Sequence, residues 1–210
     1  GFTLAEQGLF NKKVGEAWKT LCETYPWSER LCAFNIWQVN VISEQSGVDR
    51  RAEGIYRNTE LNCYYDAITT RLIQSETPWL CQEAASYAPA YDAIFVLVND
   101  TTWGGAAGSL VFCSINPKFG FIVSHELGHF LGDLADEYDC YVCDGSDDNR
   151  SYFGGEPWEA NLTNKKTLAE IKWKDLINPG TPLPTGPGVS PGTVGIWEGG
   201  GYYRFGMYRS

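Results

Sequence analysis

From Leu4 to Glu23 the apolar residues Leu9, Phe10, Val14, Ala17, Trp18 and Leu21 recur at helical spacing, which predicts a packing helix that Pro26 ends. Cys32 to Ser43 alternates well enough to predict a strand, and the polar Glu44 to Gly54 follows as a turn-rich loop. Leu61 to Ile73 reads as a second helix and Cys81 to Tyr87 as a short third. Tyr91 to Val98 is a nearly continuous apolar run of strand length, as expected of a central strand covered on both faces. Thr101 to Ser109 is too rich in small residues to predict a fixed element, and it leads into a strand candidate, Leu110 to Ile115. Two readings of that strand stay open: an edge to which an extended peptide could pair, or an ordinary internal strand.

Next comes Ser124 to Tyr138, in which Val123, Leu127, Phe130 or Leu131, and Leu134 form an apolar stripe offset from a row containing His125 and His129. Thr167 to Leu176 predicts a short helix with Ile171, Trp173 and Leu176 inward, and Pro179 to Gly192 a long loop. Ile196 to Arg209 offers glycines for a tight chain reversal. Helices alternating with strands place the chain in the α/β (α+β) class, with a twisted mixed sheet, packing helices and an irregular C-terminal lobe. One domain is expected over 1–210, with a sheet-and-helix lobe at 1–132 and the irregular lobe at 133–210.

The candidate chemistry lies in that central helix. Residues four apart share a helical face, so His125 and His129 can hold one metal ion while Glu126 sits beside the water bound to it. A catalytic zinc takes three protein ligands and keeps one open position, and no other histidine exists to be the third. Gly132 stands where metzincin-type peptidases break the helix and turn back, with Asp133, Asp136 and Glu137 beyond it. Counting three to five residues past the glycine favours Asp136, with Glu137 second; the metzincin position itself holds Ala135. A closed structural site of His125, His129, Cys140 and Cys143 competes with this reading, but gives no reason for Glu126. The Cys140-x-x-Cys143 pair reads as a local disulfide.

Charge and cysteine usage narrow the setting. Sixteen basic against 26 acidic residues give a net charge of −10, which disfavours nucleic acid and anionic membranes as partners. No run of 18 apolar residues predicts a membrane span, and the start at Gly1 reads as a processed or trimmed end. Seven cysteines predict a disulfide-forming, secreted or extracytoplasmic setting, with Cys113 in an apolar run as a free buried thiol or a residue whose partner lies elsewhere. Asp144 to Asn149 is an oxygen-rich turn with calcium-binding chemistry but without calcium-loop spacing, and reads first as a solvated acidic turn. Tyr208 or Arg209 could steady an oxyanion beside Met207, although aromatic packing accounts for them more simply.

Taken together, several strings resemble the catalytic domain of the bacterial IgA-peptidase family of zinc metallopeptidases. They are the opening Gly-Phe-Thr-x-Ala-Glu, Ser46-Gly47-Val48-Asp49, Val96-Leu97-Val98-Asn99-Asp100, His125-Glu126-x-Gly128-His129, and Leu134-Ala135-Asp136-Glu137-Tyr138. Further on come Asn161-Leu162-Thr163, Ile171-Lys172-Trp173-Lys174 and Glu198-Gly199 with Tyr202-Tyr203 and Tyr208-Arg209. The resemblance implies zinc on His125 and His129, Glu126 as general base, and an acidic third ligand from the Asp136-Glu137 pair. The function expected is a secreted, monomeric zinc endopeptidase acting on extracellular proteins, glycosylated or immunoglobulin-type ones included. A catalytically silent zinc-containing module that binds protein or glycoprotein is the alternative.

Overall fold

The computed structural model describes residues 1–140 and 149–210. Its contacts divide the chain into two units, Gly1–Phe130 and Leu131–Ser210. Helices and sheets are mixed, so the class is α+β.

In the first unit, α1 (Gln7–Glu23) is followed by β1 (Asp49–Arg50), β2 (Cys63–Tyr65), β3 (Ile73–Ser75) and α2 (Pro78–Ala85). Then come β4 (Phe95–Val98), β5 (Gly105–Ala107), β6 (Val111–Ser114) and α3 (Phe119–Gly132). Two three-stranded sheets have orders β1-β2-β3 and β4-β6-β5, and a parallel bridge between Leu72 and Gly105 links them. Strand β4 shows how the core is divided. Val96 and Val98 join a cluster with Tyr65, Ile73 and Phe112, while Phe95 and Leu97 pack against Leu21, Cys113, Ile122, Val123 and Leu127. Side chains alternate across a strand, so one strand serves both cores.

β4 is therefore covered on both faces as expected, but the centre of its sheet is β6, whose four residues are all buried. This corrects the edge-strand reading of Leu110 to Ile115, because β4 and β5 occupy both sides of β6. The small residues expected to hold no fixed element form β5, antiparallel to β6.

Two further expectations fail. Cys32 to Ser43 is not a strand. Ile36 and Trp37 are exposed, and the segment is tied to α1 by amide side chains, with Asn40 Nδ2 donating to Gln7 Oε1 at 2.8 Å and Asn11 Oδ1 at 2.9 Å. Ile42 pairs with Phe2 in an isolated parallel bridge, and a single bridge builds no ladder. Leu61 to Ile73 is not a helix but the β2 and β3 arms of an antiparallel pair. Asp66 decides this: its Oδ1 accepts from the amides of Ile68 and Thr69 at 2.9 and 2.6 Å, a side-chain turn that competes with helix. The expected helix near Cys81 begins earlier, at Pro78, a residue suited to a first helical turn.

The second unit holds β7 (Leu162–Thr163), β8 (Trp197–Gly200) and β9 (Tyr203–Arg209) in the antiparallel order β7-β9-β8. Ile171, Trp173, Ile196 and Tyr208 form its core. The predicted helix at 167–176 shrinks to a 3-10 turn at Lys174–Leu176; Ile171 and Trp173 are buried, whereas Leu176 is 67 % exposed. Trp173 Nε1 donates to the Gly195 carbonyl at 2.7 Å, so its anchoring is polar as well as apolar. The predicted reversal lies between β8 and β9, where Gly199, Gly200, Gly201 and Tyr202 all have positive φ.

Candidate metal centre

A turn leads into α3: the Asn116 side-chain oxygen accepts the Lys118 amide at 2.9 Å, and the Asn116 carbonyl accepts the Phe119 amide at 2.8 Å. Its buried face consists of Phe119, Ile122, Val123, Glu126 and Leu127, a helical stripe in which one member is a carboxylate. Only Val123 and Leu127 of the predicted stripe are buried; Leu131 and Leu134 are exposed, because the inward face turns toward Phe119 and Ile122 instead. Trp27 Nε1 donates to Ser124 Oγ at 2.9 Å, fixing the rotation of the helix within its unit.

The helical repeat puts His125 and His129 together. Their Nε2 atoms stand 3.0 Å apart and their rings are nearly perpendicular, at 83°. Two nitrogens bonded to one tetrahedral zinc at 2.0–2.1 Å would lie roughly 3.3 Å apart, so this pair fits a shared ion. Phe121, one turn earlier, stacks on His125 with centroids 6.1 Å apart, and Trp103 of the glycine-rich stretch lies 6.2 Å from Phe121. The sequence reading missed this exposed aromatic pair, although Phe121, His125 and His129 share a four-residue spacing that could have shown it.

Glu126 is only 8 % exposed. Strand β5 reaches it: a Cβ at Gly105 would stand 2.7 Å from Glu126 Oε1 and 2.6 Å from Ile122 Cγ2. Glycine there lets the sheet backbone approach the carboxylate, which explains one small residue of the stretch. Behind it Cys113 is a free, buried thiol, pushed up to about 12 by burial and then by the Glu126 charge. Cys22, Cys32, Cys63 and Cys81 are also free, so these five cysteines do not form the expected disulfide framework. Cys140 is disulfide-bonded, whereas Cys143, and with it the expected Cys140-Cys143 pairing, the four-ligand site and the Asp144 to Asn149 turn up to Asp148, lies outside the described residues.

In the second unit, Gly132 ends the helix as predicted, but the left-handed step is taken by Asp133, with φ 48°. Aspartate tolerates that conformation better than most residues. Asn161 clamps the segment that follows: its Oδ1 accepts the Ala135 amide and its Nδ2 donates to the Ala135 carbonyl, both at 2.9 Å. Glu137 is engaged by Asn161 Nδ2 at 3.1 Å and by Ser210 Oγ at 2.9 Å. Asp136 Oδ2 accepts the Tyr202 hydroxyl. Tyr202 had no assigned role in the sequence reading; nothing in its local pattern distinguishes it from Tyr203.

The expected oxyanion candidates are engaged within their own unit. Tyr208 is buried and donates to Glu198 Oε1 at 3.2 Å, and Arg209 Nη1 donates to the Glu198 carbonyl at 3.0 Å. Both serve the β8–β9 pair, and Met207 is buried in the same unit.

By donor chemistry, His125, His129 and Asp136 are a candidate metal-binding group of two imidazoles and a carboxylate, compatible with zinc. A model of the family described as IgA Peptidase M64 matches residues 1–188. No curated protein matches the chain.

Proposed function

This chain belongs to the IgA Peptidase M64 family and is thus a peptidase, and we propose that it is a secreted zinc endopeptidase of metzincin-like fold, cleaving extracellular proteins as a monomer. The observation that carries the reading is the 3.0 Å approach of His125 and His129 Nε2 on the helix that also holds the buried Glu126. In this reading His125, His129 and Asp136 hold zinc, and Glu137, already engaged by Asn161 and Ser210, is structural. Zinc so held would lower the pKa of a bound water to about 7 and polarise the scissile carbonyl. Glu126 accepts a proton from the attacking water and returns it to the leaving amine. Its burial among Ile122, Val123 and the β5 backbone excludes competing solvent from one side of the carboxylate. Both histidines are committed to metal, so none remains to activate a serine or cysteine, and water attacks without an acyl-enzyme.

The test is zinc content and proteolysis of a broad peptide pool, measured on the wild type, a chelated sample and Glu126→Gln. One zinc per chain is expected, with activity lost on chelation and reduced about 10²–10⁴-fold in Glu126→Gln at unchanged zinc content. Equal inertness of wild type and variant, both with zinc bound, would replace the peptidase reading with the zinc-containing binding module.

A further inference from the structure

Tyr202 has more holding it than a surface tyrosine needs. Its φ is 68°, a left-handed conformation that a bulky side chain seldom adopts, and it ends a run of three positive-φ glycines. The turn is registered on the acidic segment by backbone bonds: the Gly201 amide donates to the Asp136 carbonyl at 2.8 Å and the Tyr202 amide to the Tyr138 carbonyl at 3.1 Å. Its ring meets Tyr138 edge-on, with centroids 5.3 Å apart and an angle of 65°. The hydroxyl then donates to Asp136 Oδ2.

We propose that Tyr202 is a positioning residue for the metal centre: by donating to Oδ2 it fixes the Asp136 carboxylate so that the other oxygen alone serves as ligand. The inference rests on the zinc reading given above. Metal-ligating carboxylates are oriented by hydrogen bonds of this kind, and losing such a partner typically costs about 10–100-fold in metal affinity. The φ of Tyr202 has a matching explanation, since the strained backbone is what brings the phenol back over the acidic segment.

The experiment uses the purified chain with Tyr202→Phe, which keeps the ring beside Tyr138 and removes only the donor. Tyr208→Phe, which removes a buried hydroxyl bonded to Glu198 instead, is the matched control. Zinc affinity is read by competition with a chromophoric chelator, and coordination by the visible spectrum of the cobalt(II)-substituted protein, with folding followed by circular dichroism. Tyr202→Phe is expected to weaken zinc about 10–100-fold and to change the intensity of the cobalt bands, as a carboxylate free to bind through both oxygens raises the coordination number. Tyr208→Phe should change neither. Wild-type affinity and spectrum in a folded Tyr202→Phe, or equal changes in both variants, would overturn the Tyr202 assignment while leaving the zinc reading intact. A wild type that takes up no stoichiometric zinc would remove the metal centre itself and the Tyr202 role with it.

Discussion

Gly1–Phe130 holds His125, Glu126 and His129 by apolar packing under a regular helix, whereas Leu131–Ser210 holds Asp136 by hydrogen bonds to an irregular loop. In the first unit the histidine spacing follows from the helix, and the helix is fixed by Phe119, Ile122, Val123 and Leu127 in the core. In the second, 133–139 has no regular structure, and its backbone groups are met one by one by Asn161, Gly201 and Tyr202. A packed helix tolerates changes on its outer face; a loop held by single hydrogen bonds fails when one donor goes. The two units should therefore break in different ways.

The sharpest break in the first unit is steric. In Gly105→Ala the new methyl stands 2.6 Å from Ile122 Cγ2 and 2.7 Å from Glu126 Oε1, so the core and the base must both move. The expected cost is about 1–3 kcal/mol in denaturant unfolding, with peptidase activity down at least about tenfold as Glu126 leaves its position. Gly108→Ala is the comparison, since nothing lies within 4 Å of the added Cβ. Equal losses in the two variants would show that chain flexibility, and not the contact with Glu126, governs the stretch.

The same contrast explains what could be read from the sequence. The shared helical placement of His125, Glu126 and His129 was legible because helical spacing is a local property, and the helix stop at Gly132 was legible for the same reason. The choice of Asp136 over Glu137 rests on counting; in the structure Glu137 is bonded by Asn161 and Ser210, and Asp136 by Tyr202. Asn161 and Tyr202 were not legible as partners of the acidic segment, since they lie 26 and 66 residues away from the groups they bond. Leu61 to Ile73 was misread because an apolar spacing fits both a helix and two short strands, and the side chain of Asp66 selected the strands. The glycine-rich stretch was misread because its composition records close approach to α3, a tertiary property.

In the second unit the corresponding break is polar. Asn161 is buried at 8 % exposure and closes both backbone groups of Ala135, much as a neighbouring strand would. Asn161→Ala is expected to cost about 1–3 kcal/mol, because two backbone groups and Glu137 lose their partner without replacement. Hydrogen exchange separates this from a general loss of stability: the Ala135 amide should lose its protection while the amides of β4 and β6 keep theirs. Zinc affinity should fall in parallel if the loop is what presents Asp136. Protection retained at Ala135 would mean that the loop is held by something other than the clamp. The same burial makes Asn161 a poor glycosylation site despite its Asn-x-Thr triplet, as both amide atoms are committed.

The smallest effect tests whether the first unit is as apolar in its supports as the comparison implies. Arg50 grips Asp100 through Nε at 3.1 Å and Nη2 at 2.8 Å, and the Thr102 amide donates to Asp100 Oδ1 at 2.7 Å, at the start of the loop that leads to Gly105. Burial alone would raise the Asp100 pKa, but the hydrogen bonds from Arg50 and Thr102 outweigh it and leave the carboxyl below its ordinary range. A carboxyl depressed in the folded state contributes fully above its unfolded pKa of about 3.9, and the contribution disappears as pH falls through the lower folded value. The stability gap between wild type and Asp100→Asn should therefore be constant from pH 7 to about pH 5 and close progressively below about pH 4. Unfolding curves taken across that range read the gap directly. A gap that persists undiminished into acid would assign the effect to the shape of the loop rather than to the ion pair, and would leave apolar packing as the main support of the first unit.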